Sequence, residues 1–186
     1  HIVTEAIGIE KCNSFTIDNR YDARLVNTDE SGRIALLYAK GKIVPTSVAD
    51  TVYSTDRRGD LVLGAGYSYG GLLPLASVMK GRIEELKSLN GNSGFVRLSM
   101  PILASDIGGP ILNKFGGLSG LLAAEPESGR ILPENVAHAI KLDKIVSFLN
   151  AEGLFLYYQK VDQPLSDFLL ARKARAMTGL ISCWKN

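Results

Sequence analysis

Apolar or alternating runs of three to nine residues, broken about every ten residues by glycine, asparagine or aspartate, constrain this chain more than any other feature. The runs are 2–4, 14–17, 21–26, 34–38, 61–64, 75–83, 95–99, 110–113, 118–123 and 136–142. Such short segments fit strands joined by turns. They are too closely punctuated for alternating strand-helix units, so the chain is expected to be all-β, an antiparallel barrel or sandwich. Only the last third reads as helical. Asp143 is expected to cap a short helix with Ile145, Val146 and Leu149 on one face, ending at Gly153. Ser166 or Asp167 is expected to cap a second, with Phe168, Leu169 and Ala171 packed and Arg172, Lys173 and Arg175 in solvent. Residues 178–184 read as a closing strand.

Composition narrows the function. Of 186 residues, 46% are hydrophobic and 22% charged, which excludes wholesale disorder. The net charge of +2 gives no electrostatic reason to expect a nucleic-acid partner. No stretch approaches the roughly 20 apolar residues of a membrane span. His1 rather than Met opens the sequence, as expected of a processed, trimmed or engineered piece of a longer product. A four-ligand zinc site would need both histidines and both cysteines, His1, His138, Cys12 and Cys183, at implausible spacings, and no metal or other cofactor is expected. In a reducing compartment Cys12 and Cys183 would be two unrelated thiols. In an oxidising one they would form a bridge closing nearly the whole chain, worth about 5 kcal/mol by chain entropy.

The stretch Ser105-Asp106-Ile107-Gly108-Gly109-Pro110 carries the most information. Two glycines before a proline form a tight turn feeding a buried strand. Around it the flanks continue as Phe115-Gly116-Gly117 and Leu118-Ser119-Gly120-Leu121. Three further segments share one frame with it: Val3-Thr4-Glu5-Ala6-Ile7, Arg33-Ile34-Ala35-Leu36-Leu37, and Gly59-Asp60-Leu61-Val62-Leu63-Gly64. Residues 135–140 add a late strand before a helix. In order and spacing these segments resemble the trypsin-like serine proteases, in particular the HtrA-like and related secreted bacterial ones, over nearly the whole chain.

The resemblance implies two antiparallel β-barrels with short C-terminal helices. It divides the chain into a partial N-terminal barrel (1–55), a C-terminal barrel (56–142), and helices with a closing strand returning to the first barrel (143–186). It implies a Cys12–Cys183 disulfide, since one bacterial subgroup carries a cysteine after the histidine turn and a final Cys-Trp, as in Ser182-Cys183-Trp184. It also implies a periplasmic or secreted bacterial setting.

The same frame puts Ile7 in the histidine slot, Arg33 in the aspartate slot and Ile107 in the nucleophile slot. A triad needs a hydroxyl, an imidazole to take its proton and a carboxylate to orient the imidazole. Ile107 has no nucleophile, Ile7 no base, and Arg33 places a fixed cation where an anion belongs. The expected function is therefore that of a pseudoprotease binding protein or extended peptide, with Ser105, Asp106, Ile107, Gly108 and Gly109 as a vestigial oxyanion loop. The rival readings are a serine endopeptidase with a non-standard site and a regulatory subunit of an active relative. Ser105 or Ser119 with His138, or a serine with Lys114 or Lys141, would be the rebuilt sites. Ser105 is expected to point away from the cleft, and His138 to be a partly exposed strand residue. Glu84, Glu85, Glu125, Glu127 and Glu152 read as surface charge, and residues 64–71 lack the Lys-Ser/Thr of a phosphate loop. Two strands normally precede the first one of this fold. Their absence would leave unpaired edges, so self-association or a strand-supplying partner is expected.

Overall fold

A computed structural model describes residues 1–41, 43–52, 55–124 and 133–185. The fold is mainly β: a closed six-stranded antiparallel barrel beside a curled five-stranded half-barrel, with two short helices. The half-barrel is built from β1 (Ile2–Glu5), β2 (Ser14–Ile17), β3 (Tyr21–Thr28), β4 (Ile34–Ala39) and β13 (Ile181–Trp184), in the order β1-β4-β3-β2-β13. The closed barrel uses one contiguous stretch: β6 (Leu61–Gly66), β7 (Ser77–Glu85), β8 (Phe95–Ser99), β9 (Pro110–Asn113), β10 (Leu118–Ala123) and β11 (Val136–Lys141). A parallel pair, β5 (Asp50–Val52) with β12 (Tyr157–Gln159), forms a third, two-stranded sheet, with Val52 packed against Gly117 of the closed barrel's β9–β10 turn. This arrangement is consistent with a double-barrel fold.

The burial of β4 explains its unbroken apolar run. Leu37 and Ala39 face the inside of the half-barrel with Phe15, Ile17 and Ala23. Ile34 and Leu36 face the other way, into the seam with Phe95, Leu121, Ile140 and Phe148. A strand covered on both faces has no reason to alternate. The closed barrel has its own filling, in which Val62, Ile83, Leu98, Met100, Ile111 and Leu122 meet.

The C-terminal segment departs from the sequence reading in three places. Helix α1 (Leu142–Ala151) starts two residues earlier than expected, with Lys141 at the cap position and Asp143 in the first turn. Helix α2 (Asp167–Ala176) is capped by Ser166, whose Oγ accepts from Leu169 N at 3.4 Å; Arg172 and Arg175 are exposed as expected, but the buried face is rotated from the expected one. Leu170 and Ala174 are buried beside Leu63, Leu112 and Leu118, while Phe168 stands 72% exposed. The i, i+4 pair of Leu170 and Ala174 fits the barrel wall better than the bulkier Phe168, which the wall leaves outside. Lys173, expected in solvent, is instead drawn in: its Nζ donates to both oxygens of buried Asp50 at 2.8 Å. Last, β13 pairs antiparallel with β2, setting Cys183 opposite Phe15. Cys12 and Cys183 form the expected disulfide.

Candidate functional site

The two glycines of the oxyanion-like loop decide where it can sit. Gly108 has φ +86°, and a Cβ there would stand 2.1 Å from Thr4 Oγ1. A Cβ on Gly109 would stand 1.9 Å from the Ala65 carbonyl. Only bare backbone can therefore press between β1 of the half-barrel and β6 of the closed barrel. The Gly108 N–H donates to Leu122 O at 2.8 Å, and Leu122 N–H returns a bond to Gly109 O at 2.8 Å.

Asp106 locks the loop from below. It is buried, its Oδ1 accepting from Ser68 Oγ at 2.8 Å and its Oδ2 from Leu103 N at 2.9 Å. The partner Ser68 comes from the glycine-rich stretch after β6, which in sequence is marked only by lacking the pattern of a phosphate loop. A signal was present: Asp106 follows a serine and precedes two glycines, and a carboxylate in so tight a turn needs donors.

Two of the three slots share one cavity and the third does not. Ile7, 56% exposed, and half-buried Ile107 line the same open cavity between the barrels. Arg33 turns away from that cavity. Its Nη2 donates to Glu5 Oε1 and to Ala124 O at 2.8 Å, and its guanidinium lies 5.1 Å from the Phe95 ring centre. Glu5 in turn accepts from Ala124 N at 3.0 Å, so the pair ties β1 and β4 to the end of β10. Burial of Glu5 outweighs these bonds and raises its pKa above the ordinary carboxylate value. The Ile107 N–H is taken by the Ala104 carbonyl at 3.4 Å, and Ala104 to Asp106 form a turn of 3-10 helix. A backbone donor engaged in its own turn is not aimed at an incoming oxyanion.

The serine–histidine pairings considered from sequence are not assembled, whereas Lys141 lies opposite Gly120 in the β10–β11 register, one residue from Ser119. Ser105, expected to turn away, is exposed and among the residues lining the cavity. His138 is fully buried, not partly exposed, because β11 is covered on both sides along its middle. It pairs in register with Ala123, four residues and so about 13 Å along β10 from Ser119. The Ser119 hydroxyl donates to Asp56 Oδ1 at 3.1 Å. Asp56 has its pKa raised by burial, against that hydrogen bond. Lys114 lies over the Phe115 ring, 5.2 Å from its centre. Glu84, Glu85 and Glu152 are exposed or half-buried, and Glu125 and Glu127 lie outside the described residues. Among the described residues no group of three or more His, Cys, Asp or Glu is placed to hold a metal ion. Among them, too, no helix is long and apolar enough to cross a membrane.

The cavity itself is large. Its volume is about 1630 Å³, beyond the roughly 300–1,000 Å³ of a small-molecule pocket. It runs from the loop at 105–109 along β1 and β13 to α2.

No protein-family model matches the chain. Among curated proteins it is similar to the uncharacterized protein y4bJ of Sinorhizobium fredii (strain NBRC 101917 / NGR234), 25% identical over 195 residues. That alignment takes in 98% of this chain and 30% of that protein, so the chain spans less than a third of the relative it matches.

Proposed function

We propose that this chain is a catalytically silent member of the trypsin-like serine protease family that serves as a protein- or peptide-binding module in the bacterial periplasm or outside the cell. The observation that carries the reading is the pair Ile7 and Ile107 on one cavity, with the Ile107 N–H committed to Ala104 O and Arg33 committed to Glu5. The three slots hold neither nucleophile nor base, and the Ile107 N–H is occupied. In triads of this kind, losing nucleophile or base alone costs orders of magnitude in rate. What survives is a rim of strand edges beside apolar surface, which holds an extended segment without cutting it. The Cys12–Cys183 disulfide supports an oxidising setting.

Titration with a fluorophosphonate probe tests the reading. The protein is expected to remain unlabelled, and Ile107→Ser is expected to remain unlabelled too, because no imidazole stands at position 7. Covalent labelling of any serine in the unaltered protein would overturn it and favour an endopeptidase with a non-standard site.

A further inference from the structure

We infer that the loop between β6 and β7, residues 67–76, is a foot that dips into the surface of an anionic lipid bilayer. The inference is independent of the binding role proposed above, since Tyr69, Leu72 and Leu73 are not among the residues lining the cavity between the barrels.

Sequence carries the first step. No Asp, Glu, Lys, Arg or His stands between Asp60 and Lys80. On the β6 side this serves the barrel wall, where Val62 to Gly66 are buried. The loop itself is not buried. Tyr69, Leu72, Leu73 and Leu75 all stand in solvent, Leu72 at 85%. Single exposed leucines are ordinary, but four large apolar side chains within residues 69–75, with no charge among them, make one patch.

The loop is pinned at its stems and held out at its tip. Ser68 is buried and donates to Asp106 Oδ1 at 2.8 Å. At the other stem Ala76 is buried, and its carbonyl accepts from Arg175 Nε at 3.0 Å. Between them Gly71, at φ +82°, presses bare backbone onto Leu180, whose Cδ2 a Cβ would meet at 2.7 Å. Tyr69 has φ +64°, a conformation costly for a bulky side chain, and its ring points to water.

Extent and charge select the occupant. A standard protein interface takes roughly 20–30 residues a side, far more than one loop tip presents. A bilayer asks only for apolar side chains that reach the acyl boundary, with tyrosine and cations at headgroup level. The cations are in place on α2, which the Arg175–Ala76 bond joins to the loop: Arg172 and Arg175 are exposed and line the same cavity mouth as Leu75. The carboxylates nearby are engaged, Asp106 with Ser68, Asp167 with Lys80, and Asp18 with Leu180 N at 2.8 Å.

Co-sedimentation of the chain with sucrose-loaded vesicles, either phosphatidylcholine alone or an equimolar mixture with phosphatidylglycerol, tests this. Binding to the mixed vesicles is expected, falling at high salt. Leu72→Asn/Leu73→Asn is expected to weaken it at least about tenfold, by removing the inserted side chains. Arg172→Gln is expected to weaken it about fivefold on mixed vesicles and hardly at all on neutral ones. All three side chains are exposed, so circular dichroism and Tm should not move, which separates lost binding from lost fold. Failure to sediment with the mixed vesicles would overturn the inference, as would binding that the leucine pair does not affect. Self-association that the leucine pair abolishes would also overturn it, by placing a second copy on the patch.

Discussion

Removing the Cys12–Cys183 bridge gives the sharpest test of how the half-barrel is held. The two cysteines are 171 residues apart in sequence. Chain entropy assigns about 5 kcal/mol to closing a loop of that length in the unfolded state. The native-state geometry decides how much of that is realised. Cys183 lies on β13, an exposed edge strand with only one neighbour, so a reduced protein can fray there before it unfolds globally. A loss of about 3–5 kcal/mol is therefore expected for Cys12→Ser/Cys183→Ser, equal to roughly 8–13 °C in Tm for a chain of this length. Urea unfolding of the oxidised protein and the double variant measures it. The m-value should rise in the variant, because the uncrosslinked unfolded chain expands and exposes more surface. A loss below about 1 kcal/mol with unchanged m would refute the reasoning, since the bridge would then restrain neither state.

Gly109→Ala should be strongly destabilising, by about 3 kcal/mol or more, because its methyl group meets the Ala65 carbonyl; thermal melts check it, and a loss under about 1 kcal/mol would show that the loop can retreat. Lys173→Met leaves the Asp50 carboxylate buried without its cation and should cost about 3–5 kcal/mol, whereas Lys173→Met with Asp50→Leu should recover most of it in a double-mutant cycle. The pH signatures of two carboxylates should be opposite. Glu5, raised by burial, binds its proton more readily folded than unfolded, so its contribution to stability declines as pH rises from its unfolded pKa through its folded one. Asp29 is also desolvated, but bonds from Ser31, Ile34 and Arg33 hold it below the ordinary value. Its contribution is present above the unfolded pKa and is lost as pH falls through the folded one. The stability difference between wild type and Glu5→Gln should therefore grow on acidification, and that for Asp29→Asn should shrink, both followed by urea midpoints from pH 3 to 7.

Strands that alternate or run apolar between turn residues were legible from the chain. Residues 14–17, 95–99, 110–113 and 118–123 are strands with those bounds, because each is walled by turn chemistry on both sides. What escaped notice was decided by tertiary contact. β5 and β12 are three residues each, and Tyr157, Tyr158 and Gln159 are all exposed, so no periodicity marks them. The orientation of α2 followed the shape of the barrel wall, not hydrophobicity, which favoured Phe168 over Ala174. At the candidate site the sequence located the loop at 105–110 and a carboxylate in it that needs donors, but not that Ser68 is one of them, nor that Arg33 pairs with Glu5. Those contacts join segments 38 and 28 residues apart, beyond the reach of local pattern. The sequence reading also left two strands wanting in the first barrel. β13, returning from the far end of the chain, lies along β2 and brings that sheet to five strands.

That return of β13 has a consequence for biosynthesis. The closed barrel draws on residues 61–141 alone and has all its strands once that stretch leaves the ribosome. The half-barrel is emitted first yet settles last, because β2 stays bare along one side until residues 181–184 emerge. A premature stop a few codons upstream would spare the closed barrel and strand the half that was translated earliest.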